Sequence, residues 1–468
     1  MKNLFTLIFF LGLGLFISSC GSEDTCDVTC PAHQVLTADC NCVLTNPCEN
    51  VTCPVGQVTD SNCNCIESFE TIEVSGNIES NTTWTSENIY LLTSKVVVNE
   101  GATLTIEPGT IIKGKQGTEA LATTLIVARG GKLQACGTED KPIIFTSELD
   151  NIVPGQKTGT TLSQTDLGKW GGVIMLGYAP VSTGDGDIEG QIEGIPADET
   201  YGTYGGNNPN DNSGSLCYVS IRHGGAKIAE GNEINGLTLG GVGNGTTINH
   251  VEIVGNLDDG VEFFGGTVNV DNLMITYQDD DGIDIDQNYS GTITNFYVIH
   301  GGDGTDEGLE IDGPEGSTYV DGFFTLKNGT IVSKGGKASP ADFKSKAQGM
   351  VENVSWVNYS GPVKFRASFD PTTCNDKSDA YSYAVSGRLS IHDCNYVGTI
   401  SQAEMASAYS DTGEGEEACF ETRATELQTI IDDIFATNNC KVVSSISFGA
   451  DLSQFRNWTW TDIKGMVE

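Results

Sequence analysis

The sequence predicts an all-β solenoid, a chain wound into short strands stacked in columns. Three observations carry this. Short β-rich runs alternate with Gly, Asn and Asp turns from about residue 70, as in Ala102-Thr-Leu-Thr-Ile106 and Pro142-Ile-Ile-Phe145. No helical period of useful length occurs before about residue 400. Two interleaved sets of apolar pairs recur with a period near 23 residues, and two strand columns of one period are what a solenoid requires.

The elements follow in chain order. Lys2 precedes an apolar run from Leu4 to Ile17 and then Ser18-Ser19-Cys20-Gly21, the layout of a secretory signal. The cysteine after small residues resembles a bacterial lipobox, which implies a signal peptide over 1–19 and a lipidated Cys20. Ser22-Glu23-Asp24 resembles the short acidic signal that sends Bacteroidota lipoproteins to the outside of the outer membrane. The expected address is therefore the cell surface, through a lipid anchor. No later apolar run reaches about 18 residues, so no other span is expected.

Residues 26–65 repeat one cysteine pattern. Cys26, Cys30, Cys40 and Cys42 are followed by Cys48, Cys53, Cys63 and Cys65, at offsets of 22, 23, 23 and 23 residues. Units this small bury too little apolar surface to fold unaided, so all eight are expected in disulfides. The exported address and the C-x-C spacing disfavour zinc. The pair resembles EGF-like or small protease-inhibitor-like knots. Residues 20–69 read as a stalk, with an independent binding module as the alternative.

The repeats organise residues 70–368. One set runs Val251-x-Ile253, Leu273-x-Ile275, Phe296-x-Val298, Gly329-x-Ile331 and Val354-x-Trp356, preceded by Asn272, Asn295, Asn328 and Asn353 in the last four. The other runs Leu237-x-Leu239, Val261-x-Phe263, Ile283-x-Ile285, Leu309-x-Ile311, Ala341-x-Phe343 and Val363-x-Phe365. The long step falls in the same place in both sets, so one insertion of about ten residues explains it. Asparagines in one column can form a ladder of side-chain amides. Here the chain resembles the right-handed parallel β-helix, or pectin-lyase-like, proteins. Gly101–Gly114 is similar to their opening coil, and Trp170–Gly177 and Tyr218–Gly225 resemble segments of Bacteroidota lipoproteins of uncharacterised function. Beyond Phe369 the pattern fades, and residues 369–468 are expected as a cap with a helix near Ala424–Ala436, pinned through Cys374, Cys394, Cys419 and Cys440. Cys136 and Cys217 either pair or stay buried.

Charge narrows the function. The chain carries 63 Asp+Glu against 24 Lys+Arg, a formal charge of -39, which excludes nucleic-acid binding. Residues 228–326 hold 19 acidic residues and no Lys or Arg. In the next 40 residues, 327–366, the balance inverts.

Alternation within the strands turns this into a face. The middle residues of the second set read Thr238, Glu262, Asp284, Glu310, Asp342, Lys364, and two residues further on Gly240, Phe264, Asp286, Asp312, Lys344, Arg366. Turns add Asp258, Asp259, Asp279, Asp280, Asp281, Asp306 and Glu307. Stacked carboxylates need a counter-charge. Hard oxygen ligands without His or Cys suit Ca²⁺, with ligands among Asp258, Asp259, Glu262, Asp280, Asp281, Asp284, Asp286, Asp306, Glu310 and Asp312. A solvated acidic face screened by salt is the alternative.

The resemblance also implies activities to weigh. Polysaccharide lyases of this group use Ca²⁺ and a Lys or Arg base, which would fall to Lys344, Lys364 or Arg366. Polygalacturonase-like hydrolases place three Asp on adjacent coils. Asp279-Asp-Asp-Gly-Ile-Asp284 resembles one of their motifs and His300-Gly301 another, but their Arg-x-Lys motif is missing from its expected context. His223, His250 and His300 read as structural, whereas Trp170, Tyr201, Tyr204 and Trp356 could line a sugar platform, with Trp356, at an inward strand position, reading rather as core. The reading is a surface lipoprotein that binds a glycan or other extracellular ligand. Its rivals are a Ca²⁺-dependent lyase or glycoside hydrolase and a structural or adhesive surface protein. Such lipoproteins accompany TonB-dependent outer-membrane transporters, which the resemblance implies as a partner.

Overall fold

The computed structural model describes residues 63–467 apart from 197, 228–233, 302–303, 336–338 and 411–415, together with 34–36, 42–44, 51–53 and 57–59. The chain forms two units, Met1–Ser68 and Phe69–Glu468. Cys20, Cys26, Cys30, Cys40 and Cys48 lie outside the described residues, as does the side chain of Cys42. In the first unit, Gln34–Leu36 pairs antiparallel with Cys42–Leu44, and Gln57–Thr59 with Cys65–Glu67. The two hairpins occupy equivalent places in the two cysteine repeats. Cys53 is bonded to Cys65, and Cys63 is also disulfide-bonded.

The second unit is a parallel solenoid built on one continuous set of 24 strands. Its short column stacks Val173–Leu176, Leu237–Gly240, Val261–Phe264, Ile283–Asp286, Leu309–Ile311, Asp342–Phe343, Val363–Arg366 and Ala406–Tyr409. Its long column stacks Gly214–Arg222, Thr247–Val254, Asn269–Thr276, Thr292–His300, Phe324–Ser333, Gly349–Val357 and Leu389–Val397. Both expected columns are present, in the expected register.

Each long strand turns a corner at a left-handed residue: Tyr218, His250, Asn272, Asn295, Asn328, Asn353 and Asp393 all have φ between 49° and 58°. Asn tolerates this conformation better than other residues with a Cβ, which explains the asparagine that recurs before the apolar pairs. The amides also link coils. Asn295 donates to Asn272 (2.6 Å), Asn353 to Asn328 (3.2 Å) and Asn272 to Asn249 (3.0 Å). Inward residues such as Leu237, Phe263, Ile285, Val298 and Trp356 form one buried core.

The ladders continue past residue 368. Leu389–Val397 and Ala406–Tyr409 add another coil, and Lys441–Val442 pairs with Asn395 and Tyr396. Helix α1 (Ala380–Ser386) is inserted between Arg366 and Leu389, which hides the repeat. Helix α2 (Glu416–Thr437) buries Cys419, Leu427, Ile431 and Phe435 against the core and covers the end of the coils. Cys374–Cys419 and Cys394–Cys440 tie this region together, and Cys136–Cys217 joins two directly paired strand residues. No described helix is long and apolar enough to cross a membrane.

Residues 444–467 then run back across the coils. The Ser447 amide donates to Asn395 Oδ1 (2.6 Å), Ser355 donates to the Phe448 carbonyl (2.8 Å), and the Ala450 amide donates to Thr330 Oγ1 (2.9 Å). The Asp451 amide reaches Asn295 Oδ1 (2.6 Å), and the Trp460 and Thr461 amides reach Glu252 (2.8 and 2.9 Å). This strap buries the outward column Ser220, Glu252, Met274, Tyr297, Thr330, Ser355 and Asn395.

Candidate cation site

The site is built from the turn that enters each short strand. Gly236, Gly260, Gly282 and Gly308 stack there. A Cβ on them would stand 2.8, 2.6, 2.5 and 2.6 Å from the carbonyl oxygen of the next coil, closer than backbone oxygen tolerates. The Asp-Asp-Gly sequences at 258–260 and 280–282 are thus turns of one repeat. Gly282→Ala is expected to destabilise the coils by about 1–3 kcal/mol through overpacking, read as a lower unfolding midpoint.

The residue before each glycine forms a column of its own: Asn235, Asp259, Asp281 and Glu307. The carboxylates are held by the following coil. The Asp281 amide donates to Asp259 Oδ1 (2.9 Å) and the Glu307 amide to Asp281 Oδ1 (2.5 Å). Beside this column the middle strand residues pair as Thr238–Glu262–Asp284–Glu310–Asp342–Lys364, coil after coil.

Three carboxylate triads result, each with one oxygen per residue within 4.8 Å of the others: Asp258–Asp259–Asp280, Asp259–Glu262–Asp284 and Asp281–Glu307–Glu310. A cavity of about 290 Å³ opens on the first two, lined by Asn235, Asp258, Asp259, Glu262, Asp280 and Asp286. Asn235 is only 5% exposed. Its side-chain amide donates to Glu262 and Thr238, but its Oδ1 has no partner among the described residues, nor does Asp284 Oδ1. Next to this cavity, a groove of about 790 Å³ is lined by Thr183, Asp185, Glu189, Gln191, Tyr204 and Gln287. Its wall is the hairpin Glu189–Gln191 with Thr203–Gly205, seated by Tyr204 against Phe264 at 5.6 Å.

Electrostatics follow from this crowding. Burial, and then neighbouring carboxylates, push Asp259, Glu262 and Asp284 well above the usual carboxyl range. The same causes bring Asp286 up to about 8. Burial lifts Asp312 to about 7, against the opposing charge of Lys344. Asp306 is exposed and belongs to none of the triads; Glu307, its buried neighbour, takes that place.

The basic end is fully engaged. Lys344 is paired with Glu310, Lys364 lies 2.5 Å from Glu307 and 3.6 Å from Asp342, and Arg366 lies 3.6 Å from Asp379, the residue that caps α1. Burial opposes the charge on both lysines, yet the hydrogen bonds and charges of Glu310 and Glu307 hold them above the usual lysine range. A general base needs the reverse, a depressed lysine.

The aromatic platform is not formed as expected. Trp356 fills the core, as its inward position implied, but Trp170 does so too and Tyr204 is buried under its own hairpin; of the four, Tyr201 keeps partial exposure. His223 and His300 are buried, with Nδ1 against the Asp166 carbonyl (2.9 Å) and the Tyr359 hydroxyl (2.9 Å). Asn235 was not anticipated, although its place two residues before a short strand is the same as that of Asp259 and Asp281.

Fold and site together define a right-handed parallel β-helix with acidic residues stacked along one strand column. Its family can be stated: the chain belongs to the pectate-lyase-like beta helix domain family, whose pattern matches residues 76–429. No curated protein and no solved structure matches the chain.

Proposed function

We propose that this chain is an extracellular ligand-binding protein whose carboxylate column takes up Ca²⁺. The observation that carries this reading is the pair of buried oxygens without partners, Asn235 Oδ1 and Asp284 Oδ1, beside triads of carboxylates. A cation with six to eight oxygen ligands in flexible geometry would satisfy both the orphan oxygens and the repulsion. Tb³⁺ luminescence or calorimetric titration with Ca²⁺ tests it, with Asp259→Asn as the control. Saturable binding that the variant loses is expected, and binding that is equal in both would refute the assignment.

The adjoining groove is where we place the ligand, a glycan or another extracellular molecule. Binding fits the site better than lyase chemistry, because Lys344 and Lys364 are held protonated in ion pairs. Incubation with uronate polymers should therefore yield no unsaturated product. The proposed setting is the outer-membrane surface, with Cys20 lipidated and a TonB-dependent transporter as partner. The N-terminal sequence supports it, and loss of labelled-lipid incorporation in Cys20→Ala would test the anchor.

The column also sets a pH dependence. Asp259, Glu262, Asp284, Asp286 and Asp312 have folded pKa values above their unfolded values. Their contribution to stability is therefore present below about pH 4 and lost as pH rises through the folded values, about 7 for Asp312 and about 8 for Asp286. In chelator, the column should lose stability between these limits; in excess Ca²⁺ the loss should disappear. The difference between the two melting curves against pH is the measurement.

A further inference from the structure

We propose that Lys344 and Lys364 are tethered counter-ions that close the third triad, so that divalent cations enter only the two triads that share Asp259. This rests on the cation reading above and sets where along the column it applies.

The three triads differ in what faces them. The pair Asp258–Asp259–Asp280 and Asp259–Glu262–Asp284 opens on the cavity, with no Lys or Arg among the residues that line it. The third, Asp281–Glu307–Glu310, meets the next coils, and those coils bring the lysines. Lys364 follows Asp342 in the same strand column and reaches back to Glu307 at 2.5 Å, while keeping Asp342 at 3.6 Å. Lys344 reaches Glu310. Two of the three carboxylates of that triad therefore already hold an ammonium.

An ammonium at hydrogen-bond distance and a Ca²⁺ at about 2.3–2.6 Å from the same oxygen exclude each other by size and by charge. The lysines also have little reason to leave. Glu307 has a side-chain exposure of 4%, and its carboxylate without a partner would carry the full cost of a buried charge. The sequence shows the same division as a change of sign, since residues 228–326 contain no Lys or Arg and Lys327–Arg366 contain seven. The chain thus supplies its own cation where the column ends and leaves its acidic stretch to an ion from solution.

The test counts bound ions by calorimetric Ca²⁺ titration and native mass spectrometry of the whole chain. Replacing Lys344→Met and Lys364→Met together should raise the number bound by one. Glu310→Gln in the otherwise unchanged chain should leave that number as it was. An unchanged count in the double variant, or a count reduced by one in Glu310→Gln, would overturn the inference while leaving the cation reading intact. If neither the unchanged chain nor the double variant binds Ca²⁺, the cation reading itself fails. Should the double variant not fold, Glu310→Gln alone decides.

Discussion

Glu252→Ala is expected to cost about 3–5 kcal/mol and to free residues 444–467 from the coils. Glu252 is fully buried. Its carboxylate accepts from Ser220 Oγ (2.5 Å), the Trp460 amide (2.8 Å), and the amide and hydroxyl of Thr461 (2.9 and 2.8 Å). Ser220 in turn accepts from Nε of Arg222 (2.7 Å), which is also fully buried. Removal of the carboxylate takes away the larger of the two negative charges that act on the guanidinium, leaving Asp150, and leaves two backbone amides without an acceptor. Each loss alone is costly in a dry interior. Glu252→Gln keeps the shape and one acceptor, so a smaller loss of about 1–3 kcal/mol is expected. The unfolding midpoint measures the cost. Protease cleavage confined to 444–467 in the alanine variant, and absent from the parent, would show that the strap has lifted. An unchanged midpoint would refute this account of the strap.

Removal of Ca²⁺ is the second large effect expected. A ligand held only by the folded chain stabilises it by about 2.7 kcal/mol per site at a hundredfold excess over its dissociation constant. For the two triads that share Asp259, chelation at neutral pH should lower the unfolding midpoint by roughly 5 °C or more, and added Ca²⁺ should restore it. Mg²⁺ should restore it poorly, because it demands strict octahedral geometry and gives up water reluctantly. Lys344→Met with Lys364→Met should widen the gap between chelated and Ca²⁺-loaded protein. A midpoint indifferent to chelator would count against the proposed function.

Much of this was legible in the sequence, for a physical reason. A strand has period two and the coil has a period near 23 residues, so Thr238 to Lys364 could be placed in one column before any coordinates. The same arithmetic would have found Asn235, and would have put Glu307 in place of Asp306 among the ligands, had the turn residues been aligned as carefully as the strands. What does not repeat was harder to see. The strap contacts a different side chain in each coil, so no period marks it; the available sign was Met274 and Tyr297, large apolar residues at positions that should face water. The coil after residue 368 was hidden by the inserted α1. Trp170 and Tyr204 looked like a sugar platform because size alone does not tell a wall from a filling.

The strap has a consequence for how the chain is made. Trp460 follows the Glu252 that it covers by 208 residues. The N-terminal side of the chain emerges first, so the cover arrives after the surface it closes. Through that interval the flank must stand in water. An aliphatic flank would be sticky for all of that time. The one that is present is mostly wettable while it waits, with Ser220, Glu252, Thr330, Ser355 and Asn395 around the two larger side chains Met274 and Tyr297. It becomes interior only when the late segment brings its amides and hydroxyls to meet it.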